Sequence, residues 1–439
     1  MAKRLPNWPG WWALGLAAIL LLYAALSLPQ LTLPGLHYDE AFEAVPALQL
    51  LLGRPVTAFR GSGLALGGTL FPLMTQDYIG ALNLYAALPF IAVLGPTPAA
   101  LRLMSIGFGA VTLLFTFGLA RRLAGSYGAG LAAALLLAVD PTFIFWNRQG
   151  VFVTNITATI GVAAAYCWAR RWPAGSVGWS IAGAFLLGLG LYAKFLFLWL
   201  IFALVGAVVL LNLPWLLHNR SQLPALAKKF APEAALAAGA FLLGCWPLLV
   251  YNLQTGGTLL SISQNAGTSY YGVNNLNVMT NLAARLGQFV LVLNGGHLWY
   301  LGRVIANPIA PIGFGVLVVL IVIFAMRRQS ILQNPGHFSS AKIGLFPLLV
   351  IVLVILASIG TVSALWVTHF AVLMPWPALA LAVGGWFVLQ NQPRPILAGV
   401  SIGLAALVVS NLITVAAYHR ALAESGGLSA HSDAIYDLS

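Results

Sequence analysis

The chain has 439 residues, 60% hydrophobic and 7% charged, with a mean hydropathy of +0.92. Soluble domains carry about a quarter charged residues, so this composition belongs to an integral membrane protein, and its long Leu-, Ala-, Val- and Gly-rich runs are those of helices rather than of a barrel. The net charge of +12 does not point to nucleic acid, because no Lys/Arg run exceeds two residues and the pairs sit between apolar segments as membrane-surface anchors.

Apolar segments fall at about 11–33, 79–94, 99–120, 127–145, 150–168, 179–193, 195–213, 233–251, 309–326, 343–366, 370–389 and 395–416. The first follows Lys3 and Arg4. Ala25-Leu26-Ser27 resembles a leader cleavage site, yet the run is long enough to span and is read as a retained first helix. Lys/Arg placement puts the N-terminus, Arg121-Arg122, Arg170-Arg171, the 218–229 and 327–342 loops and Arg394 on the cytoplasmic side. That pattern requires one segment between 34 and 120 not to cross. The segment 79–94, with Asn83 and Pro89, is read as a helix lying along the outer surface.

Eleven spanning helices result, in a single transmembrane domain over residues 1–416, with a short external tail at 417–439. The tail is expected to be mobile from about Tyr418. Two large external loops follow, 34–98 and 252–308. Arg54, Arg60, Arg102, Arg148, Lys194, Arg285, Arg303 and Arg420 are left facing outward, where cations are unusual, and are candidates for binding an anion. Cys167 and Cys245 lie in apolar runs and read as small core residues rather than a disulfide or metal framework.

The first external loop carries the chemistry. The chain has nine carboxylates in all, and Asp39, Glu40 and Glu43 fall within the stretch Leu36-His37-Tyr38-Asp39-Glu40-Ala41-Phe42-Glu43. In so apolar a chain a tight acidic cluster is costly. Asp39-Glu40 reads as a general base with a carboxylate partner, able to take a proton from an acceptor hydroxyl or amine. The competing reading is a helix N-terminus, since acids favour the first turn, and the two are compatible. Asp77 and Tyr78 follow soon after as secondary or acceptor-side candidates. A metal held by His37, Asp39 and Asp77 has no diagnostic spacing, so no metal is expected and a divalent cation is not required. Lys194, between two apolar runs with no polar loop, either snorkels to the surface or binds a phosphate. Arg148 and His369 sit at outer boundaries of apolar segments. Arg102 reads as a helix-end anchor, and His297 and Arg303 lie in the polar, aromatic second loop, on the acceptor side.

In order, these pieces resemble a family. They are a first membrane helix followed by Tyr38-Asp39-Glu40, then Leu94-Gly95 leading into Ala100-Leu101-Arg102-Leu103-Met104-Ser105. Next come Ala120-Arg121-Arg122-Leu123-Ala124-Gly125, Asp140-Pro141 with Asn147-Arg148, the break at Lys194, and His369-Phe370 running into Met374-Pro375. The chain resembles the C-type glycosyltransferases of the protein O-mannosyltransferase and lipid A aminoarabinose transferase kind. The resemblance implies an all-α polytopic fold with surface helices in the first external loop. It implies Asp39 at the reaction centre with Glu40 beside it, and Lys194 near a lipid phosphate. It also implies a polyprenyl-phosphate sugar as donor and a protein, lipid or glycan as acceptor.

Two departures stand out. Asn155 occupies the place where the family often has an acidic residue, and the Lys-Pro of the aminoarabinose branch is missing near Gln76-Asp77. The leaving group would be a phosphate monoester dianion, which needs cations where its charge develops, and Arg148, Lys194 and His369 are the candidates. The expected location is the cytoplasmic (inner) membrane, with the active site on its external face. A lipid or sugar transporter is the alternative, though no internal repeat is present. A non-catalytic subunit retaining the fold is the other.

Overall fold

The computed structural model describes residues 10–149, 153–172, 174–327, 340–361, 365–390 and 392–428. Lys3, Arg4, most of the 327–342 loop and the last eleven residues, on which parts of the topology reading rest, lie outside the described residues.

The first helix, α1 (Trp11–Ser27), leads into a long connection, residues 28–97. That connection folds into α2 (Tyr38–Leu51), a hairpin of β1 (Gly63–Leu66) and β2 (Thr69–Pro72), a second small pair of β3 (Met74–Gln76) and β4 (Ile79–Gly80), and α3 (Leu82–Leu94). At about 1.5 Å per residue α2 and α3 are roughly 20 Å long, too short for a hydrocarbon core of about 30 Å. They lie against the bundle instead. Ala44 and Ala47 of α2 and Leu84, Ala87 and Ile91 of α3 share a core with Leu101 and Met104 of α4 (Pro98–Ala124). The segment expected not to cross corresponds to α3.

The next elements are α5 (Tyr127–Ala138), α6 (Pro141–Arg148), α7 (Val153–Arg171), α8 (Val177–Ala193), α9 (Leu198–His218) and α10 (Leu223–Thr255). Asp140 ends α5 and caps α6, accepting from Phe143 N at 2.9 Å, and the two helices bend by 62° there. Helices α8 and α10 touch backbone to backbone: a Cβ on Gly188 would lie 2.0 Å from the Phe241 carbonyl oxygen, and one on Gly244 2.3 Å from that of Phe185. Small residues at such crossings let membrane helices approach closely.

A second long connection, residues 256–308, holds α11 (Gly257–Gln264) and α12 (Val278–Asn294). Then come α13 (Ile309–Arg327), α14 (Ser340–Ala357), a 3-10 turn over Val367–Leu373, α15 (Pro375–Leu379), a π turn over Ala380–Gly384, α16 (Gly385–Leu389) and α17 (Arg394–Ser425). One apolar core runs through the bundle. Exposed Phe202, Leu243, Val316 and Ile413 clothe its outside, as a bilayer requires.

Among the described residues five helices are long and apolar enough to cross a membrane, or six if the bent α5–α6 pair is one span, with five shorter apolar helices beside them. The chain is a multi-pass membrane protein. The count of eleven spans expected from apolar runs is not reproduced among the described residues.

The C-terminal expectation is corrected. Helix α17 continues to Ser425, Tyr418 is buried, and its hydroxyl donates to the Gly295 carbonyl at 2.7 Å while receiving Ile305 N–H at 2.9 Å. Residues 418–425 are thus an anchored helix end rather than a mobile tail.

Candidate active site

Helix α2 sets out the acids. His37 is its N-cap, with Nδ1 accepting Asp39 N–H at 3.3 Å, and Glu40 closes a capping box by accepting His37 N–H at 2.8 Å. The helix N-terminus reading of this stretch therefore holds, through His37 and Glu40. Glu40 is 3% exposed and faces the Arg102 guanidinium at 3.5 Å. Burial raises its carboxyl above the ordinary range, and the Arg102 charge opposes that rise. Glu40, expected beside Asp39 as a carboxylate partner, is placed in the interior, where it closes the helix and pairs with a buried arginine. The Asp39 side chain is 30% exposed, 3.5 Å from His37 Nδ1, and open to a substrate.

Arg102 is not a helix-end anchor. It is 1% exposed and donates to the carbonyls of Leu31 and Pro34, each at 2.5 Å, and Gly35 at 3.3 Å, so it fixes the chain that leads into α2.

Arg148 is also corrected. It is 1% exposed, and its guanidinium donates to the carbonyls of Ser27 (3.0 Å), Pro29 and Gln30 (2.8 Å). These carbonyls mark the C-terminal end of α1, where helix acceptors lack partners and cations are favoured. Arg148 is therefore engaged in holding α1 through its Nε and Nη2. Hydrogen bonds to a charged group contribute about 1.5–3 kcal/mol each, so Arg148→Ala is expected to cost at least about 3 kcal/mol. The expected outcome is a lower thermal midpoint and little monodisperse protein in detergent. Ordinary melting combined with lost donor binding would return Arg148 to the phosphate site.

Lys194 is where the structure concentrates. It ends α8 as an extended residue, its N–H on Gly190 O at 3.0 Å, and forms an isolated antiparallel bridge with Ile79 of β4. Phe195 N–H donates to Tyr78 O at 2.8 Å. Tyr192, two residues earlier, donates its hydroxyl to Leu73 O at 3.0 Å and accepts Ala81 N–H at 3.1 Å. Gly80 has no room for a side chain, since a Cβ there would lie 2.3 Å from the Tyr192 carbonyl oxygen. The connection that bears the acids is thus hydrogen-bonded to the helix break that bears the lysine. Lys194 is 8% exposed, and the charges of Glu43 and Asp39 both reach it. Burial pushes its ammonium down to about 8, and the two carboxylates oppose that shift.

The remaining candidates divide. Tyr78 contributes its carbonyl, as described. His369 is half-buried at the start of its 3-10 turn, with Nδ1 accepting Trp366 N–H at 3.2 Å, and the charges of Lys194 and Arg285 reach it. Asp77 is engaged elsewhere: Arg60 donates to both its oxygens at 2.7 Å, Tyr251 donates its hydroxyl at 2.6 Å, and Thr258 bonds its carbonyl at 2.5 Å. It ties the first connection to α10 and α11. His297 packs on Trp146, ring centroids 4.8 Å apart, with Nδ1 3.1 Å from Leu291 O. Burial pushes His297 down to about 4, which keeps it neutral. Arg303 is exposed after the Trp299–Leu301 turn. Asn155 donates to Trp146 O at 2.7 Å and to Ser105 Oγ at 3.0 Å, a tie between α7, α6 and α4.

Two residues gain importance: Glu43, which the sequence left as one acid of the cluster, and Arg285, one of its eight outward-facing cations. Glu43 is buried one turn after Asp39 and accepts from Asn83 Nδ2 at 2.7 Å. Its spacing from Asp39 was the available signal, since i and i+4 share a helix face. Arg285 of α12 is 3% exposed, donates to Ser358 O at 3.1 Å, and keeps a buried Nη2 without a hydrogen-bond partner among the described residues.

Residues 82–232 match the family profile described as dolichyl-phosphate-mannose-protein mannosyltransferase. No curated protein sequence matches the chain. Among solved structures the chain is similar to ArnT from Cupriavidus metallidurans bound to undecaprenyl phosphate, with a TM-score of 0.58 and 14% identity over 91% of this chain and 63% of that one. The apo form of the same protein gives 0.55 and 13% identity, over 90% and 62%. The apo Archaeoglobus fulgidus oligosaccharyltransferase gives 0.51 and 14% identity, over 94% and 56%. The chain spans less than two thirds of the length of each of these structures. The likenesses show the membrane C-type glycosyltransferase fold, in agreement with the resemblance carried by the ordered motifs.

Proposed function

We propose that this protein is a membrane glycosyltransferase that moves a sugar from a polyprenyl-phosphate donor to an acceptor hydroxyl or amine at the external face of the cytoplasmic membrane. The observation that carries the reading is the hydrogen-bonded junction of Tyr78 and Ile79 with Lys194 and Phe195, which joins an accessible carboxylate and a buried cation in one frame. Asp39 takes the acceptor proton as the new glycosidic bond forms and the sugar–phosphate bond breaks. The electron pair leaves on the phosphate, where Lys194 and Arg285 meet the developing charge and His369, kept neutral by burial and by those two cations, offers a hydrogen bond. Arg285 replaces Arg148 in this set, since its Nη2 is buried and unpartnered whereas Arg148 is engaged by α1. The profile match to a dolichyl-phosphate-mannose enzyme and the likeness to a structure bound to undecaprenyl phosphate support a lipid-phosphate donor.

The test is transfer by the purified, reconstituted protein, using undecaprenyl-phosphate sugars and a panel of peptide, lipid and glycan acceptors. Acceptor-dependent release of undecaprenyl phosphate is expected, and it is expected to persist in chelator. Translocation of the labelled lipid in proteoliposomes without any acceptor, and no transfer, would replace this reading with a transporter.

A further inference from the structure

No Asp, Glu, Lys, Arg or His occurs from Ala234 to Ala284. As far as Thr255 that stretch belongs to α10, a helix apolar enough to cross a membrane. The rest, residues 256–284, is the second connection, and soluble domains carry about a quarter charged residues. Its large apolar side chains are on the outside. Leu253 at the end of α10, Tyr270, Leu276 and Met279 are each between 75% and 87% exposed, and Leu259 and Leu260 of α11 are exposed as well. The exposure is built in rather than left by a slack loop. Ser269 N–H donates to Val273 O at 2.8 Å and Gly272 N–H to Ser269 O at 2.8 Å, closing a tight turn. Tyr270 and Tyr271 stand at its tip, rings edge to face with centroids 5.0 Å apart. Asn275 pins the base: Nδ2 donates to Asn265 O and Ala266 O, each at 3.1 Å, and to Thr361 O at 2.6 Å, while Oδ1 accepts Thr361 N–H at 3.0 Å. Asn281 Nδ2 donates to Asn274 O at 2.9 Å, and Arg285 follows one turn on along α12.

This surface is continuous with the lipid-facing side of α10. Leu249 and Leu253 are exposed one turn apart on that helix, and the left-handed Gly256 (φ 64°) turns the chain straight into α11, whose Leu259 and Leu260 carry the apolar surface on. The other side of α11 is held down, with Thr258 Oγ1 donating to Asp77 O at 2.5 Å. A water-soluble partner on the Tyr270–Tyr271 turn would leave the α10–α11 corner uncovered, whereas a bilayer covers both. An uncharged, apolar surface bearing tyrosines has the chemistry of the boundary between headgroups and acyl chains, where Tyr and Trp concentrate. We propose that residues 257–279 are a membrane-surface platform: α11 and the Tyr270–Tyr271 turn lie immersed in the headgroup–acyl boundary of the leaflet at the C-terminal end of α10, the outer leaflet on the topology given above. The partner is the phospholipid surface itself. With no charge in the segment, immersion owes nothing to anionic headgroups. Through Asn281 the platform is tied to the helix that carries Arg285, and it holds that guanidinium at the depth where a lipid phosphate travels.

The role given to Arg285 rests on the lipid-phosphate reading, whereas the immersion does not, and the experiment keeps them apart. The full-length protein, with Cys167→Ala and Cys245→Ala, carries one nitroxide label at a time at Tyr271→Cys or Met279→Cys in phosphatidylcholine vesicles. Leu253→Cys is the lipid reference, and Glu424→Cys, at an exposed acidic position near the end of α17, is the aqueous one. Accessibility to molecular oxygen, which partitions into lipid, is compared with accessibility to a water-soluble nickel chelate. The expected ratio at both platform sites is several-fold above that at Glu424→Cys, matching a depth of about 5–10 Å. It is expected to be unchanged by added salt, since the segment has no charge to screen. Ratios equal to that at Glu424→Cys would overturn the platform. Protection of the labels only on adding a peptide or glycan would overturn it in favour of an acceptor-docking surface. Wild-type protein photolabelled by a phospholipid with a diazirine near its headgroup gives the same reading without substitutions: adducts are expected between Leu259 and Met279, and adducts on α10 with none there would overturn the platform. An immersed platform in a protein that binds no undecaprenyl phosphate would overturn the donor reading and leave the platform standing.

Discussion

Asp39→Asn is expected to lower the rate of transfer by about 10²–10⁴-fold, the usual contribution of a general base. Asn matches Asp in shape but cannot accept the acceptor's proton. The fold is expected to survive, because the first turn of α2 is closed by His37 and Glu40 and not by the Asp39 carboxylate. The measurement is the initial rate at saturating donor, together with thermal unfolding in detergent. An unchanged melt with a lost rate assigns Asp39 to chemistry; a rate within a few-fold of wild type would remove it. Glu40→Gln supplies the contrast. It strands the Arg102 charge beside a neutral amide, so its effect is expected in the melt first.

Lys194→Met is expected to weaken binding of undecaprenyl phosphate by about 10²–10³-fold, in line with about 3–4 kcal/mol for a charged donor preorganised in a water-poor site. Methionine keeps the length and apolar stem, so the backbone bridge to Ile79 remains. The pH dependence has a definite sign. Burial lowers the Lys194 ammonium to about 8, so its charge is present below that pH and lost above it. Donor affinity is therefore expected to fall as pH rises through about 8, and Lys194→Met is expected to be weak throughout. A Met variant that binds like wild type would place the phosphate elsewhere.

Much of the fold was legible because run length and Lys/Arg placement report directly on membrane helices. Charge parity asked for one non-crossing segment between 34 and 120, and Asn83 and Pro89 singled out 79–94, which folds as the short helix α3. Asp39 and Lys194 were candidates for a related reason, since a titratable group in an apolar chain is costly and so stands out. Arg148 and Arg285 were not separable in the same way. A sequence gives the position of a guanidinium but not the carbonyls it will meet, and only the folded chain puts the end of α1 against Arg148. The pairing of Glu40 with Arg102 was hidden by the same gap, as two charges far apart in sequence that meet in the interior. The segment 418–425 looked like a polar tail because its composition is polar. Its anchoring depends on Tyr418 reaching Gly295 and on His419 Nε2 lying 2.9 Å from the Leu26 carbonyl, contacts with no local signature.

The junction of β4 with the α8–α9 break has a further consequence. Helices respond to bilayers of different thickness by tilting, and residues carried on separate helices would drift apart as they do so. Lys194 is stitched to β3 and β4 by Tyr192, Gly80 and the Ile79 bridge, and the Glu43–Asn83 hydrogen bond ties α2, which carries Asp39, to the α3 that follows β4. Their separation is accordingly insulated from the host lipid. Changing acyl-chain length should alter how readily the long donor diffuses into the protein, while the rate of the bond-breaking event, once the donor is seated, should stay nearly constant.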